Sequence, residues 1–270
     1  MSFVIMPVSP RMVVQVSDTR LSSLADQTSW SEELRKSLVV MGKHAHFVLG
    51  WSGFAATHQS AYGTTGWLFD QLRGMNAVEL PLVEIAGNLT GAATAYFSKL
   101  RVIDKRTHFI LGGWQKTSGV LTPFTCVIYN DLVFHSQTAR SGKPFFEQSS
   151  VAASEFLYSI GLFVPERHQY DVTVIGDFKS KKLTTHFRGL EGMLKKQVPK
   201  EVIGAACRQI ALEAAQHSKT INKNLITVEM DCAGRVFCSY HPEQGTDVML
   251  LPPFLSVSGI QPRPLSGRTW

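Results

Sequence analysis

The order of elements along this chain predicts an α+β protein, a four-layer αββα sandwich of two stacked antiparallel sheets with helix pairs on both outer faces. Three observations carry that expectation. Strand runs come first, then two stretches of helical spacing, more strands, two more helical stretches and a closing hairpin. The strand runs are nearly continuous in apolar character, the texture of sheets covered on both faces. With 270 residues, 44% of them hydrophobic, the chain can bury a large core.

Each element follows from its local pattern. Residues 2–7 and 11–17 are apolar or β-branched runs around Pro7, Ser9 and Pro10, which reads as two strands joined by a tight turn. Residues 37–41 and 45–50 repeat the pattern around Gly42-Lys43. Beyond Gly53, residues 54–58 read as a first helical turn, and Trp67, Leu68 and Leu72 recur at helical spacing after the glycines at 63 and 66. Leu82, Ile85, Ala86, Leu89, Ala93, Tyr96, Phe97 and Leu100 mark one face of a helix over 81–100. Strand texture returns at 107–114, 125–129, 132–135 and 172–175, while 140–169 has no legible pattern and reads as an insertion. Leu190, Met193 and Leu194 begin a second helix pair, completed over 200–216 by Val202, Ile203, Ala206, Ile210 and Ala214. Residues 225–230 and 235–240 flank Asp231-Cys232-Ala233-Gly234, a hairpin signal. The expected organisation is one domain over 1–250 and a Pro-rich, extended or disordered tail over 251–270.

Composition narrows the function classes. No apolar run reaches the ~18 to 20 residues of a membrane span, and the N-terminus lacks a secretory signal, so the reading is a soluble, cytoplasmic protein without a membrane partner. The net charge of +6 is scattered. Its densest cluster, Lys179-Ser180-Lys181-Lys182, reads as a solvated loop, which leaves nucleic acid a distant third choice of partner. Cys126, Cys207, Cys232 and Cys238 show no CxxC spacing and read as buried free thiols. His44 and His46 would share one face of a strand, yet no acid or thiol follows at ligand spacing, and a solvated hairpin is the expectation there. Neither a metal nor an organic cofactor is expected.

The chemistry concentrates in the first sixty residues. Ser2 follows Met1, and methionine aminopeptidases remove Met1 before a small residue, which would leave a free α-amine beside the serine hydroxyl. An α-amine titrates at about 7.7 to 8.0 and can serve as base to that hydroxyl, so one residue would be both nucleophile and base. Asp18 follows sixteen residues later, and Arg35-Lys36 opens the next strand, Ser37-Leu38-Val39-Val40.

These segments, with the element order, resemble the proteasome β-subunit branch of the N-terminal nucleophile (Ntn) hydrolases. Val13-Val14-Gln15-Val16-Ser17-Asp18-Thr19-Arg20 is similar to the family's second strand and its acidic turn, Lys36 to the lysine that opens its third strand, and Gly50-Trp51-Ser52-Gly53 to its strand-to-helix glycine turn. The order resembles the family over roughly residues 2–245, with motif-level likeness in the first sixty. The resemblance implies that Ser2 attacks an amide carbonyl, that Lys36 tunes the nucleophile by its charge, that Asp18 holds Lys36, and that the Gly53 N–H, at a helix start, stabilises the oxyanion. It implies a weaker place for Ser141, in Ser141-Gly142, as the family's serine-glycine turn.

The chain departs from the family in having serine where the active subunits have threonine. It also has no carboxylate in residues 216–222, where the family carries a later acid, so that Ser218 or His217 substitutes or nothing does. Trp51 falls where the family lines its substrate pocket, and an indole there would make the pocket shallow. The plain structural alternatives are a turn cap for Asp18, a surface strand edge for Lys36 and an ordinary helix entry for Gly53. The expected function is a proteasome-like hydrolase of a peptide or amide substrate, forming a homo-oligomer. Its rival is a catalytically inactive assembly or binding module of the same fold. The apolar segment at 248–255 is expected to pack on a neighbour or back on its own sheet.

Overall fold

A computed structural model describes residues 3–22, 29–31, 35–53, 63–100, 106–130, 155–163, 169–176, 183–241 and 254–256. In chain order the elements begin with β1 (Phe3–Val8), β2 (Met12–Asp18), β3 (Leu21–Ser22), β4 (Ser29–Ser31), β5 (Ser37–Met41) and β6 (Ala45–Gly53). Helices α1 (Gly63–Gly74) and α2 (Leu82–Ser98) follow. Next come β7 (Thr107–Thr117), β8 (Val120–Tyr129), β9 (Leu157–Leu162) and β10 (Asp171–Gly176), then α3 (Leu183–Lys195) and α4 (Lys200–His217). The last strands are β11 (Leu225–Asp231), β12 (Val236–His241) and β13 (Phe254–Ser256).

The protein is thus α+β, with two main sheets and four helices among the described residues. One sheet has the order β10-β1-β2-β11-β12, the other β13-β5-β6-β7-β8-β9, and β3 pairs with β4 separately. The β1–β2 hairpin closes at Ser9, whose backbone N–H donates to Met12 O and whose Oγ accepts the Arg11 and Met12 N–H groups. The continuous apolar strands are explained by two buried faces. Phe3 and Ile5 pack with Val14, Val16, Leu190, Ile203 and Ile210, whereas the alternate residues Val4 and Met6 pack with Val13, Val39, Val48 and Ile110. A third cluster joins Phe47, Leu49 and Trp51 of β6 to Leu68 and Leu72 of α1 and to Ile85, Leu89 and Phe97 of α2.

Several expectations are corrected. The six-stranded sheet is not wholly antiparallel, because β13 pairs with β5 in parallel, Phe254 opposite Val39. The segment read as the start of a tail therefore contributes an edge strand, and it packs back on its own sheet. β9 lies inside the stretch read as an insertion; it is an edge strand whose exposed residues and Gly161 erase any alternation. α3 starts seven residues before Leu190, the first position that helical spacing had marked. His44 lies in the turn, so only His46 is in a strand, and His46 is half-buried rather than solvated; burial, then the nearby Lys116 charge, hold its pKa below the usual imidazole value. Cys126 and Cys207 are buried, but Cys238 is only half-buried and Cys232 is exposed. The stretches 54–58, 132–135 and 179–182 lie outside the described residues. No described helix is long and apolar enough to cross a membrane.

One buried acid has no cationic partner among the described residues. Asp171 is 2% exposed, and its Oδ2 accepts a hydrogen bond from Thr173 Oγ1 at 2.9 Å. Its Oδ1 and the neighbouring Thr125 Oγ1 have no well-formed hydrogen bond. Burial pushes its pKa up to about 6, against the opposing effect of the Thr173 and Thr125 hydroxyls. In the window between the ordinary carboxylate value and about 6 the folded protein holds a proton that the unfolded chain releases, so this group's contribution to stability falls as pH rises through that window. We expect Asp171→Asn, whose amide can donate to Thr125 Oγ1, to gain on the order of 3 kcal/mol relative to wild type at pH 7 and little at pH 4. Denaturant titrations of both proteins across pH 4 to 7 check it; a constant difference would refute the linkage.

Candidate active site

Asp18 ends β2 in the five-stranded sheet, and Lys36 immediately precedes β5 in the other, so their meeting depends on the stacking of the sheets. Lys36 Nζ lies 2.9 Å from Asp18 Oδ1, and the two side chains are 1% and 0% exposed. The same Asp18 Oδ1 accepts the Phe3 N–H at 2.7 Å, while Oδ2 accepts the Arg20 N–H at 3.1 Å. Lys36 Nζ also donates to Arg20 O at 2.7 Å. A turn-capping role for Asp18 therefore coexists with the ion pair. Lys36 is not at a surface strand edge, because it is buried.

The Phe3 nitrogen is the amide that joins residue 2 to β1. One carboxylate oxygen thus receives both the lysine ammonium and the first amide of the strand that follows Ser2. Ser2 itself and Ser141 lie outside the described residues. An ammonium held in so dry a setting lowers the pKa of any amine or hydroxyl placed against it, which is the chemistry a weak oxygen nucleophile requires.

Gly53 ends β6 with φ +115°, a conformation that side chains rarely adopt. It also lies so close to β7 that a Cβ would sit 2.1 Å from Arg106 O. Only glycine fits there. The residues that follow it, 54–62, are outside the described residues, and α1 begins at Gly63.

Trp51 corrects a sequence expectation. The indole is 1% exposed within the cluster under α1 and α2, and its Nε1 donates to Thr65 Oγ1 at 2.8 Å. Thr65 Oγ1 in turn donates to Arg35 O, so Trp51 braces the residue before Lys36 rather than lining a substrate pocket. The strand's alternation turns position 51 toward the helices.

Sequence reasoning missed Asn222. Its Oδ1 accepts the Thr19 N–H at 3.2 Å and its Nδ2 donates to Thr19 Oγ1 at 3.0 Å, while Arg20 Nη1 donates to Lys219 O at 2.6 Å. The loop before β11 is thereby clamped to the turn that carries Asp18. A search for a carboxylate in this loop passes over a carboxamide. Ser218 Oγ is 2.8 Å from Thr220 Oγ1, and His217 lies half-exposed on the surface, 3.3 Å from Glu213. Gln15 and Ser37, buried behind Lys36, were also missed, since polar residues inside an apolar strand run carry no motif.

No protein-family model matches this chain, and no curated protein matches it. Solved structures do. A Gly-1 mutant of Anbu from Hyphomicrobium sp. strain MC1 superposes with TM-score 0.57 at 12% identity, covering 90% of this chain and 88% of that one. Anbu from the same strain gives 0.54 at 13% identity with the same coverage. Anbu from Yersinia bercovieri, described as an ancestral beta-subunit, gives 0.51 at 15% identity over 86% and 81%. What is shared is the fold. At such identities the likeness to Anbu carries architecture alone. Among the described residues, no group of three or more His, Cys, Asp or Glu is arranged to hold a metal ion.

Removing Lys36 as Lys36→Ala leaves a buried carboxylate unpaired, and we expect a loss of about 3 to 5 kcal/mol. Asp18→Asn combined with Lys36→Met removes both charges and should recover most of that loss. Urea unfolding of wild type, Lys36→Met, Asp18→Asn and the double variant measures the coupling; a double-variant loss equal to the sum of the two single losses would show that the pair contributes nothing.

Proposed function

We propose that the protein is a proteasome-like amidohydrolase or peptidase whose nucleophile is Ser2, exposed by removal of Met1. One observation carries the reading: a buried lysine, paired with Asp18, shares that carboxylate with the first amide of β1. The Ser2 α-amine takes the hydroxyl proton, and Oγ attacks the carbonyl carbon of a peptide or amide substrate. The Lys36 ammonium lowers the pKa of the α-amine, so that it is neutral and basic near pH 7. The Gly53 N–H donates to the tetrahedral oxyanion. The proton then passes to the departing amine, and water hydrolyses the acyl-Ser2 ester. Ser141 is kept as the weaker candidate, for the family's serine-glycine turn, with no step assigned to it. The scheme uses no metal or organic cofactor.

The proposal extends to architecture and assembly. The three apolar clusters support a single αββα domain over 1–250, with α1 and α2 on one outer face and α3 and α4 on the other. The description of the Yersinia Anbu as a beta-subunit supports oligomeric assembly, and our reading is a homo-oligomer in the cytoplasm.

A second reading, an inactive assembly or binding module of the same fold, draws on a specific observation. The loop before β11 carries no carboxylate over residues 216–222, and its Asn222 is engaged with Thr19. Intact mass and labelling decide between the two. Native protein should lack Met1 and be acylated at Ser2 by an electrophile selective for N-terminal hydroxyl nucleophiles, and Ser2→Ala should abolish labelling without lowering the melting temperature. Retained Met1, or equal labelling of the two proteins, would favour the inactive module.

A further inference from the structure

The contact between the two main sheets is largely apolar, built from Val4, Met6, Val13, Val39, Val48 and Ile110. Apolar contact is non-directional, so by itself it leaves the lateral setting of one sheet on the other loosely specified. An ion pair whose partners stand on different sheets needs a finer setting. The apolar contact is interrupted directly behind Lys36. Gln15, on β2 and 0% exposed, donates from Nε2 to Ser37 Oγ at 2.9 Å and to Lys36 O at 3.3 Å. Ser17 Oγ stands 3.5 Å from the same Ser37 Oγ.

Space for this carboxamide comes from Gly50, which lies opposite Ser37 in the β5–β6 ladder. A Cβ there would stand 2.7 Å from Gln15 Nε2 and 2.9 Å from Val4 Cγ1. Gln15 Oε1, meanwhile, has no hydrogen-bond partner among the described residues. A buried acceptor left unpaired opposes folding, and an apolar side chain of similar volume would avoid that penalty. The fold accommodates a costly residue where it fixes the backbone of Lys36 to the strand that carries Asp18.

We infer that Gln15 is a positioning residue, a directional brace between the sheets that sets where the Lys36 ammonium stands against Asp18 and the start of β1. The inference rests on the Ser2 reading. A loosened brace lets the ammonium drift from the α-amine of Ser2, whose pKa then returns toward the ordinary ~7.7 to 8.0. The pH dependence of acylation reports this movement, and a purely structural role would not change it.

The experiment follows Ser2 acylation by the electrophile against pH in wild type, Gln15→Met, Ser37→Ala and the double variant. Gln15→Met should stay folded, lose roughly ten- to a hundredfold in acylation rate at pH 7 and shift its pH midpoint upward. Ser37→Ala removes the same hydrogen bond without adding bulk and should shift the midpoint the same way, with the double variant no further shifted than Gln15→Met. Val13→Ala, which opens a cavity in the same interface, should lower the melting temperature and leave the midpoint unchanged. Wild type acylated at Ser2 with both brace variants at the wild-type midpoint overturns the inference alone. An equal shift in Val13→Ala also overturns it, because any loosening would then suffice. Wild type that is not acylated overturns the Ser2 reading and the inference with it.

Discussion

The ion pair between Lys36 and Asp18 is the constraint around which the rest of this structure is arranged. Burying two charges is unfavourable unless geometry and hydrogen bonds compensate. Here they do: Asp18 takes the Phe3 and Arg20 N–H groups in addition to the ammonium, and Lys36 gives a second hydrogen bond to Arg20 O. The pair also reaches from one sheet to the other. Its formation therefore requires β1, β2 and β5 to be in place together, and local structure and tertiary packing become a single requirement.

The apolar core meets that requirement through strand periodicity. Alternate residues of β1 and β2 cluster with residues of α3 and α4 and with residues of the six-stranded sheet, so nearly every residue of the strands is buried. Glycine enters where backbones or polar side chains come too close for a Cβ. Gly53 sits against Arg106 O, and Gly50 leaves the space that Gln15 fills. Both lie at the Lys36 end of β6. The same end carries the Trp51 to Thr65 to Arg35 hydrogen-bond chain, which holds the lysine's backbone from the helix side while Gln15 holds it from the opposite sheet.

Two buried aspartates show how partners decide the role of a residue type. Asp18 meets a lysine and two backbone N–H groups; Asp171 meets the Thr173 and Thr125 hydroxyls and the Val172 backbone, and its carboxyl group is pushed up to about 6. Solvent is excluded from both to a similar degree. Among the described residues, a cation from the neighbouring sheet reaches Asp18 and none reaches Asp171.

Much of the fold was legible without coordinates, for a physical reason: doubly buried strands and amphipathic helices impose periods on the sequence. The helix read over 81–100 is Leu82–Ser98, and the one read over 200–216 is Lys200–His217. The spacing of Asp18 and Lys36 could likewise be singled out, because charged residues beside apolar strand runs are conspicuous. Edge strands leave no such record. β9 is half-exposed and β13 is three residues long, so pairing with a neighbour rather than any local pattern makes them strands. The sequence by itself determined the two kinds of element, their order and the chemical groups near the start of the chain. Tertiary structure alone decided that Lys36 is buried, that Trp51 turns to the helices, and that Gln15 and Asn222 clamp the strands around Asp18. Those are contacts between residues distant along the chain, and no local period encodes which of them meet.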